Sequence, residues 1–227
     1  MQFVLLLFLI AIVGTMWGRT RFLKIYGQEA SNLLPSRVTG AELAEAILRK
    51  RGIEGVSISK GHGLLPDFYD PASRHLSLAP QHFGGSSFSA LALAALQAGK
   101  AIQQHEGHKP LLWRNSAVRT SIYLTPPLLF IGLFTLMLGM TKTLLPVVIL
   151  LWCVVTFWNF LTIPTEIDAG LRAKRQLDEM RVFRNLDERI GVERVIGAAS
   201  TANIDGLSIV GSWVARIFLP WMREKAG

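Results

Sequence analysis

Few residues in this 227-residue chain could do chemistry, and they are thinly spread. There are five histidines, His62, His75, His82, His105 and His108, and one cysteine, Cys153. The tightest grouping is His105-Glu106-Gly107-His108. It is one residue short of H-E-x-x-H, in which two imidazoles on one helical face share a zinc ion and the glutamate takes a proton from metal-bound water. Residues three apart can still share a helical face, so His105 and His108, completed by the carboxylate of Glu166, form one candidate metal set. Gly107, Lys109 and Pro110 point the other way, to a helix end in water. His62, His75 and His82 fall in loops and a strand and read as surface or packing residues. Cys153 lies in an apolar run, which leaves no internal disulfide and no cysteine metal site. Two further charges stand in apolar surroundings, Lys100 and Glu166.

Lys100 belongs to the stretch that organises the chain, Ser86 to Gly107. Gly84, Gly85, Ser86 and Ser87 supply a loop and an N-cap, and Gly107 can close the far end. The residues between are good helix formers with no proline. Phe88, Leu91, Ala92, Ala95, Leu96, Gly99 and Ile102 share one face, and most of the remainder is apolar or small. A helix that is apolar nearly all round is a buried helix.

The segment Ala95-Leu96-Gln97-Ala98-Gly99-Lys100-Ala101-Ile102-Gln103 resembles the active-site helix of the YugP-like family of membrane-anchored neutral zinc metallopeptidases, which has the form A-H-E-x-G-H-A-I-Q. Asp67, Tyr69, Asp70 and Pro71 resemble the family's D-H-Y-D-P loop, with Phe68 in place of the histidine. Pro164-Thr165-Glu166 and Arg172-Ala173 resemble its proline-x-glutamate helix start and the R-A pair beyond. The resemblance implies a zincin-like helical core, and it puts Leu96 and Lys100 in the seats of the zinc-binding histidines, Gln97 in that of the glutamate base, and Glu166 in that of the third ligand. Leucine has no lone pair to offer, glutamine is no base, and lysine, with a free pKa of roughly 10.4, repels a dication. The expected protein is thus a degenerate member with no catalytic residue, no metal and no cofactor. Lys100 can stand in for the metal by pairing with Glu166. Equally, Glu166 can cap its own helix while Lys100 reaches out to water.

Around these residues the expected architecture is a mainly α membrane protein with a small β hairpin and about three transmembrane helices. Half of the residues are hydrophobic. Residues 1–18 carry no charge and end at Trp17, Arg19 and Arg21, the pattern of an uncleaved anchor. Residues 19–119 form the metallopeptidase-like region. Within it, Thr39-Gly40-Ala41-Glu42 fits a capping box, and 56–59 and 74–78 alternate as strands around a Gly/Pro/Asp-rich loop. Residues 120–165 contain two uncharged runs broken only by Lys142, a helical hairpin long enough to span a bilayer. Residues 166–227 complete the core with helices and end in an interfacial helix, 207–222.

Thirteen lysines and arginines lie between the first and second spans, one in the hairpin turn and ten after the third. The positive-inside rule then sets the N-terminus outside and the core region inside a bacterial cytoplasmic membrane. The net charge of +8 belongs to these flanks, because no basic stripe interleaved with aromatics offers a nucleic-acid surface. The expected partners are the lipid bilayer and other membrane proteins. The leading functional expectation is a pseudoprotease acting as scaffold, regulator or accessory subunit of a membrane assembly. The alternative is an active zinc peptidase with unconventional ligands.

Overall fold

A computed structural model describes residues 2–62, 66–139, 142 and 144–202. The expected interfacial helix 207–222 lies outside these residues. The described residues divide into two compact units, one within residues 2–19 and 116–161, the other within residues 20–115 and 162–202. The fold is mainly α.

The second unit is built around helix α4, Phe88–His105. Every residue from Phe88 to Gln103 is buried, which accounts for a sequence with almost no polar face. Ser87 caps its start, its Oγ accepting from the Ala90 N–H at 3.2 Å. Its end is a Schellman turn. Gly107 takes φ +73°, its N–H donates to the Gln104 carbonyl, and the His108 N–H donates to the Gln103 carbonyl.

Helix α2 (Gly40–Lys50) packs on α4 through Leu43, Ala44, Ile47 and Leu48. Its capping box is complete: Thr39 Oγ1 accepts from the Glu42 N–H, and Glu42 Oε2 accepts from the Thr39 N–H at 2.8 Å. Helices α7 (Ile163–Glu179) and α8 (Leu186–Thr201) cover the rest of α4 with Ala169, Ala173, Leu177, Val192, Val195 and Ile196. The last part of helix α1 (Gln2–Glu29) belongs to this unit as well, where buried Glu29 holds Arg194 of α8 at 3.3 Å.

The β part is a three-stranded sheet, larger than the expected hairpin. Strands β1 (Ser57–Lys60), β2 (Phe68–Asp70) and β3 (His75–Leu78) lie in the order β1-β3-β2. β2 and β3 are antiparallel, while β1 and β3 are parallel. The extra strand is only three residues long, too short for alternation to show in a Pro- and Asp-rich loop. A short helix α3 (Pro80–Phe83) then leads into α4.

The first unit contains the apolar helices. Helix α5 (Pro110–Met137) enters it at Ser116, and α6 (Leu144–Leu161) returns. Helix α5 starts ten residues before the uncharged run, so Pro126 and Pro127 sit inside the helix. Each proline removes an N–H that would have bonded four residues back. Buried Asn159 ties the two helices together, its Nδ2 donating to the Ala117 carbonyl at 3.3 Å and to Ser121 Oγ at 2.5 Å. Tyr123, Phe130, Phe134, Phe157 and Leu161 point outward and are exposed. Among the described residues, two helices are long and apolar enough to cross a membrane, α5 and the one that starts at Leu144.

Candidate functional site

Three elements of the second unit meet at one buried ionic cluster. Helix α4 contributes Lys100, the first turn of α7 contributes Glu166, and the start of α5 contributes Arg114. Lys100 Nζ lies 3.0 Å from Glu166 Oε2. Arg114 Nε donates to Glu166 Oε1 at 2.8 Å, and its Nη1 donates to Thr162 Oγ1 at 3.3 Å. Lys100 and Glu166 are each 4% exposed and Arg114 is 0% exposed. Burial alone would raise the Glu166 carboxyl, but the Lys100 ammonium and the Arg114 guanidinium outweigh it and hold the group down to about 2.

The packing of α4 on α7 brings these groups together. A side-chain carbon on Gly99 would run into the Ala169 carbonyl group, so the two backbones touch only because residue 99 is glycine. One turn after Gly99, Gln103 spans the same interface. Its Nε2 donates to the Thr165 carbonyl at 2.8 Å and to Asp168 Oδ2 at 2.7 Å. Arg172 bonds Asp168 on α7 and pairs with Glu106 at the end of α4.

The loop 66–71 borders the other side of α4. Gln97 Nε2 reaches the Asp67 carbonyl at 3.5 Å, and Gln104 Nε2 donates to the Pro71 carbonyl at 2.8 Å. Gln104 Oε1 accepts from the Tyr69 hydroxyl. Asp67 also starts a relay: its carboxylate meets His82 Nδ1 at 2.8 Å, and His82 Nε2 meets the Tyr26 hydroxyl at 2.8 Å. The relay clips α1 and α3 to the loop, and His82 is buried with both ring nitrogens in use. The substitution His82→Ala takes the imidazole partner from the Tyr26 hydroxyl and leaves the Asp67 carboxylate with the Ala79 N–H, and should lower stability by about 2 kcal/mol. Thermal unfolding of the detergent-solubilised protein measures this. A variant as stable as the parent would mean the relay contributes nothing.

A hydrolytic zinc site needs three protein ligands and one open position. The residues here do not fit one. Leu96 offers no donor atom, Lys100 offers a cation, and both Glu166 oxygens already serve cations. Gln97 in the base position has an amide, and its buried Oε1 has no hydrogen-bond partner among the described residues. His105 and His108 straddle the Schellman turn, so the chain leaves the helix between them and they share no helical face. His75 spends its ring on Ser57 and Ser59. Among the described residues, no group of three His, Cys, Asp or Glu side chains could hold a metal ion.

Comparison with known proteins joins this site to a family of hydrolases. The profile of the family described as "Putative neutral zinc metallopeptidase" matches residues 3–207. The chain belongs to that family. It is 33% identical over 164 residues, 71% of each chain, to the "Putative membrane protease YugP" of Bacillus subtilis (strain 168). No solved structure matches the chain. Membership in a membrane zinc metallopeptidase family agrees with the two apolar helices.

Sequence reasoning missed Arg114, which it counted only as one of the basic flanking residues. The available signal was an arginine one residue after Trp113 at the head of a long apolar run, a position where a buried cation needs a carboxylate. The His82 relay left no signal, because its three members come from segments far apart in the chain.

Proposed function

We propose that this chain is a non-catalytic member of its family, a pseudoprotease that serves a membrane protein assembly as scaffold, regulator or accessory subunit. The observation that carries the reading is the state of Glu166. It is the one carboxylate in the seats that the family resemblance assigns to zinc ligands, and it is held by two buried cations. Gln97, in the seat of the glutamate base, has an amide and cannot take a proton from water. A fold kept without its chemistry is useful for what it binds.

In this reading residues 1–18 anchor the chain in the bacterial cytoplasmic membrane with the N-terminus outside. Residues 19–119 form the metallopeptidase-like region on the cytoplasmic side, the helices from residue 166 onward complete its core, and 120–165 form the membrane hairpin. The distribution of basic residues supports this orientation. The exposed aromatic and aliphatic side chains of α5 and α6 suit lipid and other membrane helices.

The test is purification of the full chain in mild detergent, with metal analysis and a protease assay in added zinc. The expected result is zinc far below one per chain and no cleavage of an unfolded protein substrate. Stoichiometric zinc together with proteolysis abolished by a chelator would overturn the reading. A partner recovered at fixed stoichiometry identifies an accessory subunit, and one recovered at variable ratio a regulator.

A further inference from the structure

The mismatch between the site and zinc has a structural consequence. We propose that the Lys100 ammonium replaces the metal ion as the crosslink between α4 and α7, so that this chain reaches its folded state without zinc. The inference rests on the non-catalytic reading and goes beyond it, because a site can lose its metal without gaining a substitute.

Four observations point to a substitute. Lys100 Nζ makes its 3.0 Å contact from α4 to α7, the two helices whose backbones touch at Gly99. The lysine is 4% exposed, so its head stays in the core although its stem is long enough to seek water. The Glu166 oxygens face Lys100 and Arg114, so the carboxylate spends itself on side chains from other helices. Lys100 lies one turn after Leu96 on the same face of α4, where leucine fills space and adds no competing donor. A dication beside the ammonium and the guanidinium would meet two like charges at close range in a water-poor site. The ion pair both joins the helices and keeps metal out.

The test has two arms on the full-length protein in detergent. The first introduces ligands: Leu96→His with Lys100→His sets two imidazoles four apart beside Glu166, the two-histidine, one-carboxylate set of zinc hydrolases. With zinc as the probe, this variant should take up about one ion per chain, as expected of that ligand set, and a chelator should lower its Tm. The parent should take up none, and a chelator should leave its Tm in place. A folded double-histidine variant that binds no zinc would mean that Lys100 does not sit in the metal's seat, and would overturn the proposal.

The second arm does not depend on that variant folding. Lys100→Gln removes the ammonium and leaves Glu166 with Arg114. Amide hydrogen exchange should rise by about tenfold around Lys100–Gln103 and Glu166–Ala169, the effect of losing one charged hydrogen bond. Unchanged exchange at both segments would show that the pair joins nothing, and overturns the proposal. The two readings fail differently. Stoichiometric zinc with chelator-sensitive proteolysis in the parent removes the non-catalytic reading and the crosslink with it, while a zinc-free parent with an inert Lys100→Gln removes only the crosslink.

Discussion

Glu166→Gln should cost about 4 kcal/mol of stability, more than removal of either cation. The reason is the count of charges. Two buried cations, Lys100 and Arg114, share this one carboxylate. Losing Lys100 leaves a neutral Glu166–Arg114 pair, but losing the carboxylate leaves an ammonium and a guanidinium facing each other out of water. An amide can accept a hydrogen bond from one of them and cancels neither charge.

The same carboxylate sets a pH dependence. Its folded value lies below its ordinary 4.5, at about 2. A group depressed on folding contributes stability that is complete above its unfolded value and is lost as pH falls toward the folded value. Stability should therefore hold above about pH 5 and fall between there and pH 2, and Glu166→Gln should flatten that part of the profile. Thermal unfolding of both proteins across this range is the measurement. A variant that keeps both the parent's stability and its acid profile would contradict the assignment of Glu166 as the neutralising group.

Gly99→Ala is expected to destabilise by about 2 kcal/mol, although helix propensity alone predicts a gain of about 1 kcal/mol. The residue sits in the middle of α4, where alanine is the better helix former. The opposing term is tertiary. A methyl group there meets the Ala169 carbonyl oxygen, a backbone atom that cannot rotate aside. The helices must then separate, and separation also pulls Lys100 away from Glu166 and Gln103 away from Thr165. The sign of the change in Tm decides between the two terms. A more stable variant would show that the α4–α7 contact yields easily and that the ionic cluster does not depend on it.

Much of the fold was legible because it follows local rules. The burial of α4 is written in a run rich in alanine and leucine whose polar residues, up to position 103, are Ser89, Gln97, Lys100 and Gln103. The caps at Thr39, Ser87 and Gly107 depend on residues within a few positions of each other, and these local signals were readable. The apolar lengths of α5 and α6 were equally plain, whereas the start of α5 at Pro110 was not, because Arg114, Asn115 and Arg119 interrupt its first turns and residues 110–115 pack in the other unit. Strand β2 was missed because three residues exist as a strand only through pairing with β3. The grouping of Tyr26, Asp67 and His82 was likewise out of reach, since nothing in a linear chain brings those positions together.

By itself, then, the sequence determined which donor groups stand at positions 96, 97 and 100. Leucine, glutamine and lysine have fixed donor and proton properties, and no arrangement turns Leu96 into a ligand. What surrounds Glu166 was decided only by the tertiary structure. The same glutamate could have capped α7 or faced water, and the close approach of α4 at Gly99 together with the entry of Arg114 from α5 gave it two cations instead. The physical reason is range. Donor chemistry and helix capping act within a residue or a turn, while the balance between desolvation and charge pairing depends on every element packed around the group.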